Sequence, residues 1–350
     1  MLFCNIDLLD EKFETKRNQY VGVKDGRIAY IGASEPEEDF GERYDGRHRL
    51  LMPAFYNVHS HAPMTLLRGY AENLPLQRWL GEKVFPFEDQ IDDEAAYYGT
   101  LLAISEMLAS GTASFSDMYF FFGGMVPAIL ESGIKCNLSR GLTVFDDSDY
   151  TDLPAYRDNV RLRGEWNGAN NGRLIGDLCI HGEYTSNPKI VEAVAQHARE
   201  TGARIQIHLS ETQTEHEECK GRHGLTPAAY MEKHGIFDSP TTAAHCVWLE
   251  DEDFDILKRH GVTVACCPAS NLKLASGYAN VPKMLESGIN VALGTDGPLR
   301  DFDEAISEAE RIGYPVMLKA ASGGGGKGIR VALSVKDLKD AYDSAAAEAV

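Results

Sequence analysis

The sequence predicts an α/β fold: a (β/α)8 TIM barrel with a small β layer before it and a tail of different character after it. Three observations carry this. From residue 50 onward, short apolar runs alternate with helical patterns. Eight such runs follow one another in a single order, as a closed barrel of parallel strands requires. No glycine-rich nucleotide loop follows the first run, which argues against an open doubly wound sheet.

Residues 1–50 read as β structure. Two alternating apolar segments, 19–23 and 27–31, flank Lys24-Asp25-Gly26, and Asp-Gly between such segments signals a tight hairpin. The barrel runs then fall at 50–59, 112–119, 135–142, 174–184, 204–210, 241–247, 262–268 and 290–294. Helical patterns lie between them, among others at 93–110, 188–201, 226–234 and 251–260. The tail opens with an amphipathic stretch, 303–312, whose Ala305, Ile306, Ala309 and Ile312 share a face. A glycine run at 323–326 follows, and an alanine-rich helical pattern over 335–349 ends the chain.

Composition narrows the functional class. The 350 residues carry a formal net charge of −19 and a pI near 5.0. That excludes the basic face a nucleic acid or an anionic membrane would need. No apolar run reaches the ~18 residues of a spanning helix, and the first residues lack the basic start and long apolar core of a signal peptide. The seven cysteines are odd in number and without paired spacing, which suggests reduced thiols in a cytoplasm. Cys266 and Cys267 read as buried strand residues rather than a redox pair.

The chemistry-bearing residues sit at run ends. His59 and His61 close the first run, and residues i and i+2 of an extended chain point to one side, so both imidazoles can reach one ion. His208, His245 and Asp296 end three further runs. Barrel chemistry is found where strands end, so four ends that deliver metal-type donors point to a metal site. Glu211, three residues past His208, suits a proton shuttle beside such an ion. His181 and Arg140 end two other runs and are read as substrate contacts or structural groups. His48, His197, His216, His223, His234 and His260 fall on helices or loops and are expected to be solvated.

The segment Asn57-Val58-His59-Ser60-His61-Ala62-Pro63, together with Ile207-His208-Leu209-Ser210-Glu211, Ala243-Ala244-His245, Pro268-Ala269-Ser270-Asn271-Leu272-Lys273 and Gly294-Thr295-Asp296-Gly297, resembles the amidohydrolase superfamily. Within it, the match looks like the branch of methylthioadenosine/S-adenosylhomocysteine deaminases and triazine chlorohydrolases, over residues 1 to 297. The resemblance implies a metal-dependent barrel in which His59, His61, His208 and Asp296 hold one divalent ion, zinc or iron. It also implies that Glu211, His245 and Asp296 act in catalysis, and that Trp79, Arg140, His181 and Glu211 bind the substrate. The implied reaction is hydrolytic deamination of an adenine-type nucleoside (S-adenosylhomocysteine, methylthioadenosine or adenosine) to the inosine-type product and ammonia. A triazine or guanine-type hydrolase is the alternative within the class, and a metal-binding chimera without turnover is the alternative outside it. The partner is then a small molecule, and the family habit of oligomerising suggests a homo-oligomer.

After Gly297 the resemblance changes. The stretch from Asp296-Gly297-Pro298-Leu299 through Gly313-Tyr314-Pro315 to Gly326-Lys327-Gly328 resembles the ATP-grasp segment of the biotin carboxylases, in which Lys319, Gly324 and Gly325 would face ATP phosphates. Three parts are therefore expected: 1–50, a portion of a β-sandwich; 51–297, the barrel; and 298–350, an ATP-grasp-like fragment in place of the barrel's usual end.

Overall fold

The computed structural model of the chain describes residues 1–68, 70, 74, 76–297, 316–319 and 329–332. The chain divides into two units, Met1–Phe55 and Tyr56–Val350.

In the first unit, strands β1 (Leu2–Leu9), β2 (Thr15–Lys24), β3 (Arg27–Gly32), β4 (Arg43–Asp45) and β5 (Leu50–Leu51) make one sheet. Its order is β3-β2-β1-β4, with β5 also on β1. The expected hairpin joins β2 to β3 through Asp25 and Gly26, at φ 52° and 71°. Two consecutive left-handed residues twist the turn with the strands, which is why Asp-Gly occurs there. Leu2, Cys4 and Phe40 form the small core.

The barrel strands are β6 (Phe55–Ser60), β7 (Thr112–Tyr119), β8 (Lys135–Arg140), β9 (Leu174–Ile180), β10 (Ile205–Leu209), β11 (Thr241–His245), β12 (Thr263–Cys266) and β13 (Asn290–Leu293). They neighbour one another in chain order, and every pair from β7 to β13 is parallel. All eight predicted runs are present; the one at 112–119 matches its strand end to end, and the last six are shorter than predicted. The run at 241–247 ends at His245 and that at 204–210 ends at Leu209, because His245, Cys246 and Ser210 turn out of the sheet at φ 70°, 49° and 49°. The first run splits at Pro53 into β5 and β6.

Helices follow the strands, with boundaries set by local chemistry. Asp92 caps Asp93–Ala109 by accepting from Ala95 N, and Asn187 caps Pro188–Thr201, which ends at Gly202 in the left-handed region. A reciprocal Glu250/Asp253 box starts Asp251–Arg259. Their apolar faces bury Val191, Val194 and Ala198 against Ile180, Ile205 and Ile207. In a second cluster, Ala103, Ile104, Met125 and Ile129 pack with Phe115 and Leu138. All seven cysteines are free and buried. Among the described residues, no helix is long and apolar enough to cross a membrane.

Of the six histidines expected to be solvated, one is buried and four are half-buried. Only His48 is exposed. His216 is 3% exposed and bonds Glu250. His223, His234 and His260 pair with Glu183, Glu192 and Glu232, and His197 bonds the Tyr150 hydroxyl. These rings lie where neighbouring helices and loops meet, and a carboxylate or hydroxyl from the neighbour supplies the polar partner that burial demands.

The barrel closes between its first and last strands. Ser60 and Asp296 form a parallel bridge, Thr295 N and Asp296 N donate to His59 O, and His61 N donates to Asp296 O. Asn57 reinforces the seam: its Nδ2 donates to Thr295 Oγ1 at 2.8 Å and its Oδ1 accepts from Thr295 N at 3.0 Å. Gly294 permits the approach, since a Cβ there would lie 2.9 Å from His59 O and 3.0 Å from Cys267 Sγ.

Beyond the barrel, β14 (Val316–Lys319) and β15 (Ile329–Ala332) pair antiparallel. The predicted helices at 303–312 and 335–349, and Gly324 and Gly325, lie outside the described residues.

Asn57→Ala is expected to destabilise the protein by about 1–3 kcal/mol, because it leaves seam groups without partners. Urea unfolding checks this: the midpoint should fall with an unchanged slope, and an unchanged midpoint would remove Asn57 from the closure.

Candidate metal centre and cleft

The C-terminal ends of β6, β10 and β11 and the turn after β13 deliver His59, His208, His245 and Asp296 to one place. One donor atom from each lies within 4.8 Å of the others. His61 joins them. His59 Nε2 and His61 Nε2 are each 3.1 Å from Asp296 Oδ1, and His61 Nε2 is 3.3 Å from His208 Nε2. Four ligands tetrahedrally placed at about 2.1 Å from one ion stand ~3.4 Å apart, so these spacings suit a single divalent cation.

Hydrogen bonds on the far side of the rings support the same reading. His61 Nδ1 donates to Met118 O at 2.6 Å, and His208 Nδ1 donates to His181 O at 2.7 Å. A carbonyl only accepts, so in the neutral rings the unprotonated nitrogen of both is Nε2. Both Nε2 atoms thus face the cluster, 3.3 Å apart. The donor set therefore fits a metal ion.

The electrostatics draw positive charge inward. Burial alone would raise the Asp296 carboxyl, but hydrogen bonds from His59 and His61 hold it well below the usual carboxylate range. Burial lowers His59 to about 4 and His181 to about 3. Burial also opposes charge on His61, yet its bond to Asp296 outweighs this and takes it to about 9. The Ser270 hydroxyl donates to Asp296 Oδ2, leaving Oδ1 to the imidazoles.

Glu211 follows β10 and is 4% exposed. Its Oε2 is 3.7 Å from His245 Nε2. Burial raises its carboxyl, His245 opposes that, and Asp296 adds to it. Such a group can keep a proton that an exposed glutamate would lose. The ends that carry these groups are strained: Ser210, His245 and Asp296 have φ of 49°, 70° and 64°, a region non-glycine residues rarely adopt.

A cleft of about 650 Å³, open mouth included, lies over the cluster. His61, His208, Glu211, His245 and Asp296 line its floor, and Trp79, His181 and Tyr184 contribute to its walls. Arg140 is absent from the lining. Its Nε donates to Asp158 at 3.0 Å and its Nη1 to Gly141 O at 2.7 Å, and its guanidinium stacks 4.8 Å from the Phe120 ring, which does line the cleft. Of the tail residues, Lys319 falls at the end of β14, and Gly324 and Gly325 are not among the described residues.

Several groups escape the sequence reading. Glu88 lines the cleft and accepts from the Tyr119 hydroxyl at 2.6 Å, with burial raising its carboxyl. Asp117, fully buried, accepts from Ser60 Oγ and Ala62 N at 2.8 and 2.7 Å and so braces the His-Ser-His turn from both sides. Glu215 accepts from Ser210 N and Glu211 N at 2.9 and 2.7 Å. The only sequence signal for Glu215 is its place at the third helical position after Thr212, whose hydroxyl caps that helix. Glu88 and Asp117 have none, since their partners lie tens of residues away.

Comparison with known proteins gives a consistent picture. The amidohydrolase family profile matches residues 50–347. The chain is 44% identical over 281 residues to a 5-methylthioadenosine/S-adenosylhomocysteine deaminase of Syntrophomonas wolfei, covering 79% of this chain and 64% of that protein. It is 42% identical over 285 residues to the protein of the same name from Dictyoglomus thermophilum, covering 81% and 66%. The chain thus spans just under two-thirds of the length of these curated relatives. The crystal structure of an adenosine deaminase from Xanthomonas campestris with bound zinc superposes with a TM-score of 0.73 at 27% identity, covering 88% of this chain and 73% of that one.

Glu215 generates a pH prediction. Burial pushes its carboxyl from 4.5 up to about 7, so the folded state holds a proton that the unfolded chain has released. The stability this adds is fully present below about pH 4.5 and is lost as pH rises through 7. In Glu215→Gln that dependence should vanish, flattening the stability-versus-pH curve by up to ~1.4 kcal/mol per pH unit across this window. Urea midpoints at pH 5, 6 and 7 decide it, and parallel curves for variant and parent would contradict it.

Proposed function

The chain belongs to the amidohydrolase family, and from that premise we propose that it hydrolytically deaminates an adenine-type nucleoside. S-Adenosylhomocysteine and 5-methylthioadenosine are the substrates its relatives' names point to. The observation that carries the proposal is the pairing of a buried Glu211 with His245 beside the histidine and aspartate cluster, in the cleft that opens over it.

His59, His61, His208 and Asp296 would hold one divalent ion, zinc or iron, whose Lewis acidity makes water nucleophilic near neutral pH. The remaining work falls to the side chains. Glu211, its carboxyl raised by burial, is placed to donate a proton to a ring nitrogen of the purine, which makes the amino-bearing carbon electrophilic. His245 Nε2 and the Asp296 carboxylate orient the attacking water and take up its proton. Addition of water gives a tetrahedral carbon bearing both oxygen and nitrogen. A proton passed to the amino group lets ammonia leave, so one water is consumed and one ammonia released per inosine-type product. Trp79 and His181 border the bound ring, and Arg140 backs the wall that Phe120 presents.

We further read the protein as a cytoplasmic homo-oligomer acting on a small molecule. Residues 298–350 are taken as a biotin-carboxylase-like appendage that takes no part in the hydrolysis. The reading of the tail rests on the resemblance around Lys319 and the glycine run.

Purified protein is expected to release ammonia from 5-methylthioadenosine or S-adenosylhomocysteine, with the same rate whether or not ATP and magnesium are present. Glu211→Gln should lower kcat on the order of 10²–10⁴-fold with its metal content unchanged. Turnover of triazines or guanine in place of adenine nucleosides would overturn the substrate assignment. Full activity in Glu211→Gln would overturn the mechanism.

A further inference from the structure

The end of β12 supplies no donor to the metal cluster, yet the short helix that follows it, Pro268–Lys273, places Asn271 against His245. Asn271 is 2% exposed and His245 1%, and Asn271 Oδ1 lies 2.8 Å from His245 Nδ1. The asparagine is held at both ends of its own backbone: its N donates to Cys267 O at 2.9 Å, and its O accepts from Ser276 N at 2.8 Å. His245 is held too, on a left-handed backbone at the end of β11. The backbone under each partner is thus fixed.

We propose that Asn271 is a positioning residue that fixes the tautomer of His245, the Nδ1–H···Oδ1 bond leaving Nε2 bare toward Glu211 and the cleft. An amide oxygen accepts and does not donate, so the proton of the neutral ring sits on Nδ1. The bare Nε2 is the nitrogen 3.7 Å from Glu211 Oε2 and is the one able to take a proton from attacking water. The opposite amide orientation would make Nδ2 the donor, place the ring proton on Nε2, and leave His245 no lone pair toward the substrate. The neighbouring Ser270 bonds Asp296, so one turn of chain orients both groups that handle the water.

This inference rests on the deaminase reading, and its test has a readout independent of turnover. In the metal-loaded protein labelled with 15N-histidine, two-bond proton–nitrogen correlations report which ring nitrogen carries the proton. His245 is identified by the signal lost in His245→Gln, at a pH where the ring is neutral. A proton on Nδ1 is expected, and a proton on Nε2 would overturn the proposal whatever the substrate is. In turnover, Asn271→Leu should lower kcat by about 10- to 100-fold with KM and metal content unchanged. Asn271→Asp keeps an acceptor and should restore kcat to within a few-fold of the parent. Equal loss in both variants, or a loss confined to KM, would contradict positioning through Nδ1. Should no adenine nucleoside be turned over at all, the functional reading fails while the tautomer still decides the inference.

Discussion

Everything at the candidate centre depends on one short piece of sheet, the bridge between Ser60 and Asp296. These residues are far apart in the sequence, and only closure of the barrel makes them neighbours. The same contact hands His59 and His61 from the first strand and Asp296 from beyond the last to a common point, with both imidazoles 3.1 Å from one carboxylate oxygen. Closure and ligand convergence are therefore one event. Three backbone bonds, the Asn57–Thr295 pair and the absence of a side chain at Gly294 hold it.

Around that seam, a second layer of bonds turns each functional side chain to a useful direction. Carbonyls of Met118 and His181 set the rings of His61 and His208, Ser270 sets Asp296, and Glu215 pins the turn that carries Glu211. Ser210, His245, Cys246 and Asp296 are held in the left-handed region, at a cost of order 1–3 kcal/mol each. Such strain persists only where surrounding contacts over-determine it. The two buried clusters that pack helices onto the outer face of the barrel sheet provide that rigidity, and the strained ends gather where β10, β11 and β13 finish.

The legible part of this arrangement was the part with a period. Alternation within strands and helical spacing between them placed all eight barrel strands, and the i, i+2 relation of His59 and His61 foretold two rings on one side. Polar order then made strand ends the place to look, which picks out His208, His245 and Asp296. What was not legible depends on contacts between distant segments. Glu88 gains its meaning from Tyr119, Asp117 from Ser60 and Ala62, and Asn271 from His245. No local pattern announces such pairs. The strand runs were overextended for a related reason, because apolar composition continues past the residue at which the backbone turns left-handed. His216 was misjudged because its position on a helix does not reveal that Glu250 comes to meet it.

The central claim is that closure of the barrel gathers the donors on a single cation. Elemental mass spectrometry on freshly purified, monodisperse protein tests it most directly. We expect about one zinc or iron per chain, lost in His59→Ala and in Asp296→Ala while both variants keep the far-ultraviolet spectrum of the parent. Protein that takes up no metal even after refolding with zinc, or variants that retain it fully, would show that the ligands do not converge on one ion.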